Sequence, residues 1–134
     1  MKYLLDTNVC IRYINGRSPQ IRAKLPTLPR SEIAVSSITK AEMWYGSVKS
    51  QHPERSRQKQ SEFFEIVQSV PFDDAAALYY SLIRARLELM GTPIGSHDML
   101  IAAIAMSRDL ILVTHNVGEF SRIDKLQIED WEQG

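Results

Sequence analysis

Four side chains with oxygen donors lie where an apolar segment ends or a helical pattern begins: Asp6, Glu42, Asp98 and Asn116. Carboxylates that are brought together repel each other unless protons or cations lie between them. Oxygen-rich acidic sites suit hard cations such as magnesium or manganese. Such an ion activates water and neutralises charge on a reacting phosphodiester. These residue types therefore point to metal-assisted hydrolysis if the fold brings them together.

Short apolar segments separated by helical patterns predict the framework that positions these residues. Candidate strands are Lys2–Leu5, Ile33–Ser36, Pro71–Phe72, Leu110–Thr114 and Leu126–Ile128. The fourth segment is continuously apolar, which is typical of a parallel strand buried on both faces. Strands that alternate with helices indicate an α/β sandwich with a parallel sheet. Since ligands bind beyond the carboxyl ends of parallel strands, we expect the four side chains to converge on one acidic pocket.

Helix boundaries are predicted from capping residues, prolines and glycines. Asp6-Thr7-Asn8 offers three capping residue types at the start of a short helix. The other predicted boundaries are a start at Ser18-Pro19, a cap at Ser37 or Thr39, a long helix over Pro53 to Val70, a start at Asp73 or Asp74, a stop at Gly91, a cap at Ser96 and an end at Asp109.

Length and composition limit the class of protein. The chain has 134 residues, of which 44% are hydrophobic and 24% charged, and no linker divides it. We therefore expect one domain over residues 1–134 with a substantial core. No apolar run approaches the roughly 18 residues of a membrane span, and Asp6 comes too early for a signal peptide. The single cysteine, Cys10, excludes an intrachain disulfide, so we expect a cytoplasmic protein.

Charge is unevenly distributed although the formal net charge is zero. Residues 1–60 hold 11 Lys/Arg and 4 Asp/Glu, whereas residues 61–134 hold 5 and 12. A basic half attracts polyanions even in a neutral protein. Solvated helix faces explain the same charges without a ligand. Charge alone therefore leaves both interpretations open.

Each candidate residue also has a purely structural interpretation. Asp6 caps a helix in that interpretation, and Asp98 only complements a helix dipole. Glu42 is then a surface acid or a buried, paired one. The pattern favours surface positions for His97 and Glu119. It does not decide whether His115 contacts substrate or faces solvent. For Trp44 and Tyr45 it favours positions in the core or at a partner interface.

Five ordered segments resemble the PIN-domain ribonucleases, and more narrowly the VapC toxins of bacterial type II toxin–antitoxin modules. The N-terminal Tyr3-Leu4-Leu5-Asp6-Thr7-Asn8 is similar to the LLDTN signature of that family. The other similar segments are Ser36–Gly46 around Glu42, Pro93–Ala103 around Asp98, Val113–Phe120 around Asn116, and the tail Ile128–Trp131. The resemblance covers essentially the whole chain in the right order.

The resemblance implies a PIN-like α/β/α sandwich with a mostly parallel sheet of four to five strands, and a magnesium-dependent endoribonuclease. Asp6, Glu42 and Asp98 match the acidic triad that holds metal, with Asp6 and Asp98 as direct ligands. Asn116 stands where many PIN domains have a fourth acid, and it either binds the metal through its amide oxygen or orients water, in both cases without adding charge. Glu119 is a candidate to compensate for the missing charge. Manganese is an alternative metal, and the number of ions stays open.

The resemblance also implies partners. They are a cognate, VapB-like antitoxin that lies over the active groove, a second copy of the chain in a homodimer, and an RNA substrate such as transfer RNA. Trp44 and Tyr45 are candidates for the antitoxin contact, whereas Arg12 and Lys40 are candidates for RNA phosphates. Thr7 and Thr114 are expected to support the acidic residues through their hydroxyls.

Three other classes of protein use related patterns. A phosphoryl-accepting receiver domain needs a second acid beside the first strand-end aspartate and a late-strand lysine, but Leu5 precedes Asp6 and no lysine directly follows Thr114. A haloacid-dehalogenase-like phosphatase needs Asp-x-Asp, whereas this chain has Asp6-Thr7-Asn8. A catalytically silent PIN-fold module that only binds RNA or antitoxin is the remaining alternative, although such a module is expected to have lost one of the three acids.

Overall fold

A five-stranded parallel sheet flanked by seven α-helices makes up the fold. The structure is a computed structural model that describes residues 1–133; residue 134, the last of the predicted domain, lies outside the described residues. The elements in chain order are β1 (Tyr3–Leu5), α1 (Thr7–Ile14), α2 (Pro19–Lys24), two 3-10 turns (Leu25–Thr27 and Arg30–Glu32), β2 (Ile33–Ser36), α3 (Ser37–Val48), α4 (Pro53–Ile66), β3 (Gln68–Val70), α5 (Asp74–Met90), α6 (Ser96–Ser107), β4 (Ile111–Val113), α7 (Val117–Phe120) and β5 (Ile128–Glu129).

The strand order is β3-β2-β1-β4-β5, and every pairing is parallel. The central strand β1 pairs Leu4 with Ala34 of β2 and with Leu112 of β4. These three side chains are fully buried, as expected for parallel strands that are covered by helices on both faces. The prediction of an α/β sandwich is therefore confirmed, and the sheet is wholly parallel.

Two hydrophobic cores fill the spaces on either side of the sheet. Because side chains alternate along a strand, Leu4 packs on one face with the helices α5 and α6, whereas Leu5 packs on the other with α1 to α4. Ile104 of α6 and Phe63 of α4 represent these two cores. The helix α6 carries an almost continuous run of buried residues, Ile101 to Ala105, which the sequence shows as an apolar segment. Within residues 1–133, no helix is both long enough and apolar enough to cross a bilayer.

Several predicted boundaries are wrong. The helix predicted over Pro53 to Val70 ends at Ile66, and the predicted strand Pro71–Phe72 instead lies at Gln68–Val70. The edge strand β3 exposes its first two, polar residues and buries only Val70, so it lacks an apolar signal. The last strand is shifted to Ile128–Glu129.

The capping residues are mostly close to their predicted positions. The side chain of Asp73 caps α5, and Gly91 ends that helix in the left-handed conformation with φ 69°. A glycine adopts this conformation without the steric cost that other residues meet. Ser36 caps α3 instead of Ser37 or Thr39, and Ser96 is the first residue of α6 instead of its cap.

Candidate active site

Asp6 lies between the central strand and the first helix. Its backbone N–H donates to the carbonyl of Val113 on β4 (3.0 Å), and its Oδ1 accepts from the N–H of Val9 (2.9 Å). Asp6 therefore caps α1, as the structural interpretation predicted, while its carboxylate lies at the carboxyl edge of the sheet. Burial raises the pKa of this carboxyl, and the negative charges of Glu132 and Glu42 add to the rise. Hydrogen bonds from Thr114 and Val9 act in the opposite direction.

Glu42 is oriented through both of its carboxylate oxygens. The hydroxyl of Thr7 donates to Oε1 (2.6 Å), and Nδ1 of His97 lies 3.1 Å from Oε2. The Thr7 hydroxyl also lies 3.1 Å from that of Thr39, which Ser36 holds at the start of α3. Glu42 thus connects α1, α3 and the start of α6.

Asp98 lies in the first turn of α6 and is half-buried. Burial, a hydrogen bond with Glu119, and the negative charges of Glu119, Asp6 and Glu42 raise its pKa to about 7. The close approach is also visible at Gly95, where an added β-carbon would lie 3.4 Å from Oδ2 of Asp98 and 3.9 Å from Oε1 of Glu119. Four acids from four separate segments therefore act on one another at this edge of the sheet.

Asn116 follows β4 and is held by two contacts. Its backbone N–H donates to the hydroxyl of Thr114 (3.0 Å), and its side-chain Nδ2 donates to Oε2 of Glu119. The other oxygen of Glu119 accepts from the N–H of Gly95 (2.9 Å). Glu119 therefore ties the loop after β4 to the loop before α6, and the Nδ2 contact leaves Oδ1 of Asn116 for other partners.

The donor chemistry of this edge fits a hard divalent cation. Within residues 1–133, no three His, Cys, Asp or Glu side chains by themselves surround a common metal position. All four acids of this edge take part in hydrogen bonds, Asp6 with Val9 and Asp98 with Glu119, so hydrogen bonding by itself does not select the direct ligands among them. Magnesium is usually held by one or two carboxylates together with water. The repulsion that raises the pKa of Asp98 is the kind that a bound cation relieves.

The sequence pattern favours surface positions for two residues around the site and gives no role to a third. His97 is exposed, as the pattern predicts, and contacts Glu42, whereas Glu119 is half-buried and contacts Asn116. Glu132, whose charge acts on Asp6, was not considered. The contacts of His97 and Glu132 join segments far apart in the chain, so spacing carries no signal for these two residues. Glu119, by contrast, lies three residues after Asn116 within the segment Val113–Phe120, and that spacing is a signal that could have identified it.

Lys40 does not lie with the acids. Its Nζ donates to the hydroxyl of Ser69 on β3 (2.9 Å) and lies 5.1 Å from the centre of the Phe64 ring. The strand β3 is an edge strand of the sheet, and β2 and β1 separate it from β4. Thr7 and Thr114, by contrast, contact Glu42 and Asp6, as expected from the sequence.

Known proteins with the same fold share extensive sequence with this chain. The family model of the PIN domain matches residues 3–126. The tRNA(fMet)-specific endonuclease VapC of Salmonella typhimurium is 41% identical over 131 residues, 98% of each chain. Solved structures of DNA-bound VapBC from Salmonella typhimurium and of VapBC2 from Rickettsia felis bound to a promoter DNA fragment superpose with TM-scores of 0.93 and 0.92. The Salmonella typhimurium structure is 41% identical to this chain, and the match covers 98% of both chains. The Rickettsia felis structure is 37% identical, and the match covers 98% of this chain and 99% of the other.

These matches define the class first: an α/β nuclease fold whose acidic residues lie at the carboxyl edge of a parallel sheet. The chain belongs to the PIN-domain family and, within it, to the VapC endoribonuclease toxins. The expected family is thereby confirmed. The nucleases of this family are typically metal-dependent, in keeping with the carboxylates found here.

Proposed function

We propose that Asp6, Glu42, Asp98 and Asn116 form the active site at which this VapC protein hydrolyses RNA phosphodiester bonds with magnesium. The observation that carries the proposal is the convergence of Asp6, Glu42, Asp98 and Glu119 from four separate segments on one edge of the sheet. Burial, together with the hydrogen bond to Glu119 and the charges of the other acids, raises the pKa of Asp98 to about 7, in keeping with that convergence. Acids from separate segments concentrate here at a cost in stability, which is typical of a functional site. One PIN domain over residues 1–134 accounts for this activity.

The residues of the chain have separate tasks in the proposed reaction. Asp6 and Asp98 bind the cation, which when bound activates water and offsets the charge of the phosphodiester. Glu42, held by Thr7 and His97, presents a fixed carboxylate that accepts a proton or hydrogen bond from the attacking water. Asn116 is held by Glu119, so its Oδ1 orients the same water without adding charge. No histidine pair and no ribose 2′-hydroxyl nucleophile is needed.

Structured RNA is the proposed substrate class, with initiator transfer RNA as the first candidate. Relatives from Salmonella typhimurium and Shigella flexneri, 41% and 40% identical to this chain, are tRNA(fMet)-specific endonucleases. The alignments extend over 98% of this chain and therefore span the four segments that carry the site. We place the reaction in the cytoplasm, where transfer RNA is found.

A VapB-like antitoxin is the proposed partner, since solved relatives are VapBC complexes. A groove of about 450 Å³ beside Glu42 combines the apolar Ile11 and Met43 with the basic Arg55. Such a surface suits an amphipathic segment that covers the site. The exposed Trp44 on α3 lies next along the chain to Met43, which lines this groove.

A homodimer is proposed from the outer face of α5. Leu78, Leu82 and Leu89 of this helix are 61%, 61% and 88% exposed. Exposed apolar side chains on one element mark protein contact surfaces. Light scattering on the purified protein is expected to give twice the chain mass of 15.3 kDa. Substitution of Leu82 by Glu is expected to yield the monomer.

Sequencing of RNA ends tests the proposed function. Wild-type protein with magnesium is expected to produce discrete new ends, and chelation of the metal or the Asp98→Asn substitution is expected to remove them. Growth arrest on expression, relieved by the same substitution, distinguishes the toxin from a silent binding module. Cleavage by Asp98→Asn at the wild-type rate would remove the assigned site.

A further inference from the structure

A second cavity, distinct from the groove beside Glu42, lies beside Asp6. A cavity of about 420 Å³ is lined by Asp6, Asn8, Ile11, Arg12, His115 and Asn116. Its volume is within the range of ligand clefts. Because Asp6 and Asn116 belong to both, the cavity is continuous with the proposed active site. A phosphate next to one held at the acids is therefore within reach of this cavity if the strand runs in its direction.

Arg12 supplies the permanent positive charge on this cavity wall. Its Nε and one terminal nitrogen both contact Oε2 of Glu132, at 2.8 and 2.7 Å. The side chain of Glu132 is only 6% exposed, whereas that of Arg12 is 44% exposed. The buried carboxylate thus fixes one edge of the guanidinium, and the exposed part faces the solvent side. Guanidinium groups have five donors, so donors remain for a phosphate.

The C-terminal segment Asp130–Glu132 holds both basic residues that line the cavity. Nδ1 of His115 lies 3.1 Å from Oδ2 of Asp130, and Oδ1 of Asp130 accepts from the N–H of Glu132 (2.9 Å). Trp131, between the two acids, packs edge-on against Tyr3 of β1 with ring centres 5.3 Å apart. The acids that orient Arg12 and His115 are therefore anchored to the central strand of the sheet.

The negative charges at this edge explain why a positively charged side chain in a fixed position is needed here. A phosphate that approaches Asp6 meets the negative charges of the acidic edge and is repelled. Arginine offers planar, paired donors that match phosphate oxygens, and an arginine already held in place loses little freedom on binding. We propose that Arg12, positioned by Glu132, binds the RNA phosphate that flanks the phosphate being cleaved. This proposal rests on the proposed function of the adjoining site.

The test is RNA binding in EDTA, where no cleavage occurs. Fluorescence anisotropy with a labelled initiator-tRNA transcript, measured over a range of salt concentrations, reports affinity and the number of phosphate contacts. We expect Arg12→Gln to weaken binding by about tenfold and to lower the slope of log Kd against log salt by about 0.7 to 0.9, the loss of one contact. The control, Arg30→Gln, removes an exposed arginine that precedes β2, at the end of the sheet opposite the acids, and is expected to leave the slope unchanged.

A double substitution separates the subsite from general charge effects and from misfolding. Arg12→Gln leaves Glu132 buried without its partner, which threatens the fold, whereas Arg12→Gln with Glu132→Gln keeps two hydrogen-bonding amides and the wild-type net charge. If Arg12 contacts a phosphate, the double variant binds RNA as weakly as the single one. Wild-type affinity and salt slope in the double variant would overturn the proposal.

Glu132→Ala tests the positioning role separately. This variant retains the charge of Arg12 but frees its side chain, so we expect several-fold weaker RNA binding in EDTA with an unchanged salt slope. An unchanged Kd would show that Glu132 does not position Arg12. Failure of the proposed function is distinguishable, because it appears as the absence of magnesium-dependent cleavage by the wild-type protein, whatever the variants bind.

Discussion

Substitution of Asp98 by Asn is expected to make the metal-free protein more stable at pH 8. The folded-state pKa of Asp98 is about 7, against 3.8 for an unperturbed aspartate. At a pH between 3.8 and about 7, Asp98 keeps its proton in the folded protein but loses it in the unfolded chain. The free energy of unfolding therefore falls as pH rises from about 4 to about 7, and the whole deficit is present above pH 7. Asparagine removes that charge and, through its amide, still donates to Glu119 as the protonated carboxyl does.

The size of the gain follows from the shift and from the exposure of the side chain. A rise of about 3 pH units corresponds to about 4 kcal/mol if it is wholly expressed as stability. Asp98 is only half-buried, and solvent screens its repulsion, so we expect about 1–2 kcal/mol. For a chain of 134 residues, this gain raises Tm by roughly 3–8 °C.

Thermal unfolding in EDTA at pH 5, 6, 7 and 8 measures this effect. The Tm of Asp98→Asn minus that of the wild type is expected to be small at pH 5 and to grow to its full value by pH 8. Asp124→Asn, at an exposed position outside the candidate site, is the matched control and is expected to show no such trend. Magnesium is expected to raise the Tm of the wild type and not that of Asp98→Asn. A difference that does not change with pH, or a less stable variant at pH 8, contradicts the reasoning.

Three further substitutions test other parts of the structure. Asp6→Asn is expected to abolish magnesium-dependent RNA cleavage while keeping or raising Tm in EDTA, because asparagine caps a helix about as well as aspartate and carries no charge, whereas burial raises the pKa of the Asp6 carboxyl. A large loss of Tm would mean that the cap contributes more than its type predicts. Thr7→Val is expected to lower kcat by about 10- to 100-fold through loss of the contact to Glu42, while Thr7→Ser retains activity; equal rates for both would refute the contact's role. Leu4→Ala, in the fully buried centre of β1, is expected to cost about 2–5 kcal/mol in urea unfolding, against about 0.5 kcal/mol or less for Val48→Ala at the exposed end of α3.

The buried strands and the cap of the first helix could be predicted because their physics is local. β1, β2 and β4 are short apolar runs that helices cover on both faces, so burial is visible in composition. The edge strand β3 could not be predicted in the same way. It has a neighbour on one side only, exposes Gln68 and Ser69, and follows a helix without an intervening glycine or proline.

The supporting contacts of the site could not be predicted for a different reason. Glu119 meets the backbone of Gly95, 24 residues earlier, and Glu132 meets Arg12, 120 residues earlier. No pattern within a helix or strand contains such pairs. They arise only when the sheet places β1, β4 and β5 side by side and thereby brings the loops and the C-terminal segment together.

The general rule for parallel sheets explains most of the acidic site. A helix that connects two parallel strands runs opposite to them and begins at the edge where the strands end. An acid after a strand, such as Asp6, and an acid in the first turn of a helix, such as Asp98, therefore reach the same edge. Between β1 and β4 the chain changes direction across the sheet, and a crevice opens at such a switch point. Asp6 ends β1 and Asn116 follows β4, so both lie at this crevice.

The same rule also predicts strand-end acids that lie away from the acidic site. The order of the strands in the sheet distinguishes these acids from those of the site. Asp73 and Asp74 follow β3 and begin α5, so their sequence context matches that of Asp6. However, β3 lies two strands from β1, a separation of about 10 Å at the usual strand spacing. Asp73 accordingly caps α5 and pairs with Arg108 at 3.1 Å. An acid at a strand end becomes part of this site only when its strand lies next to the switch point, which is information that the order β3-β2-β1-β4-β5 contains and local sequence does not.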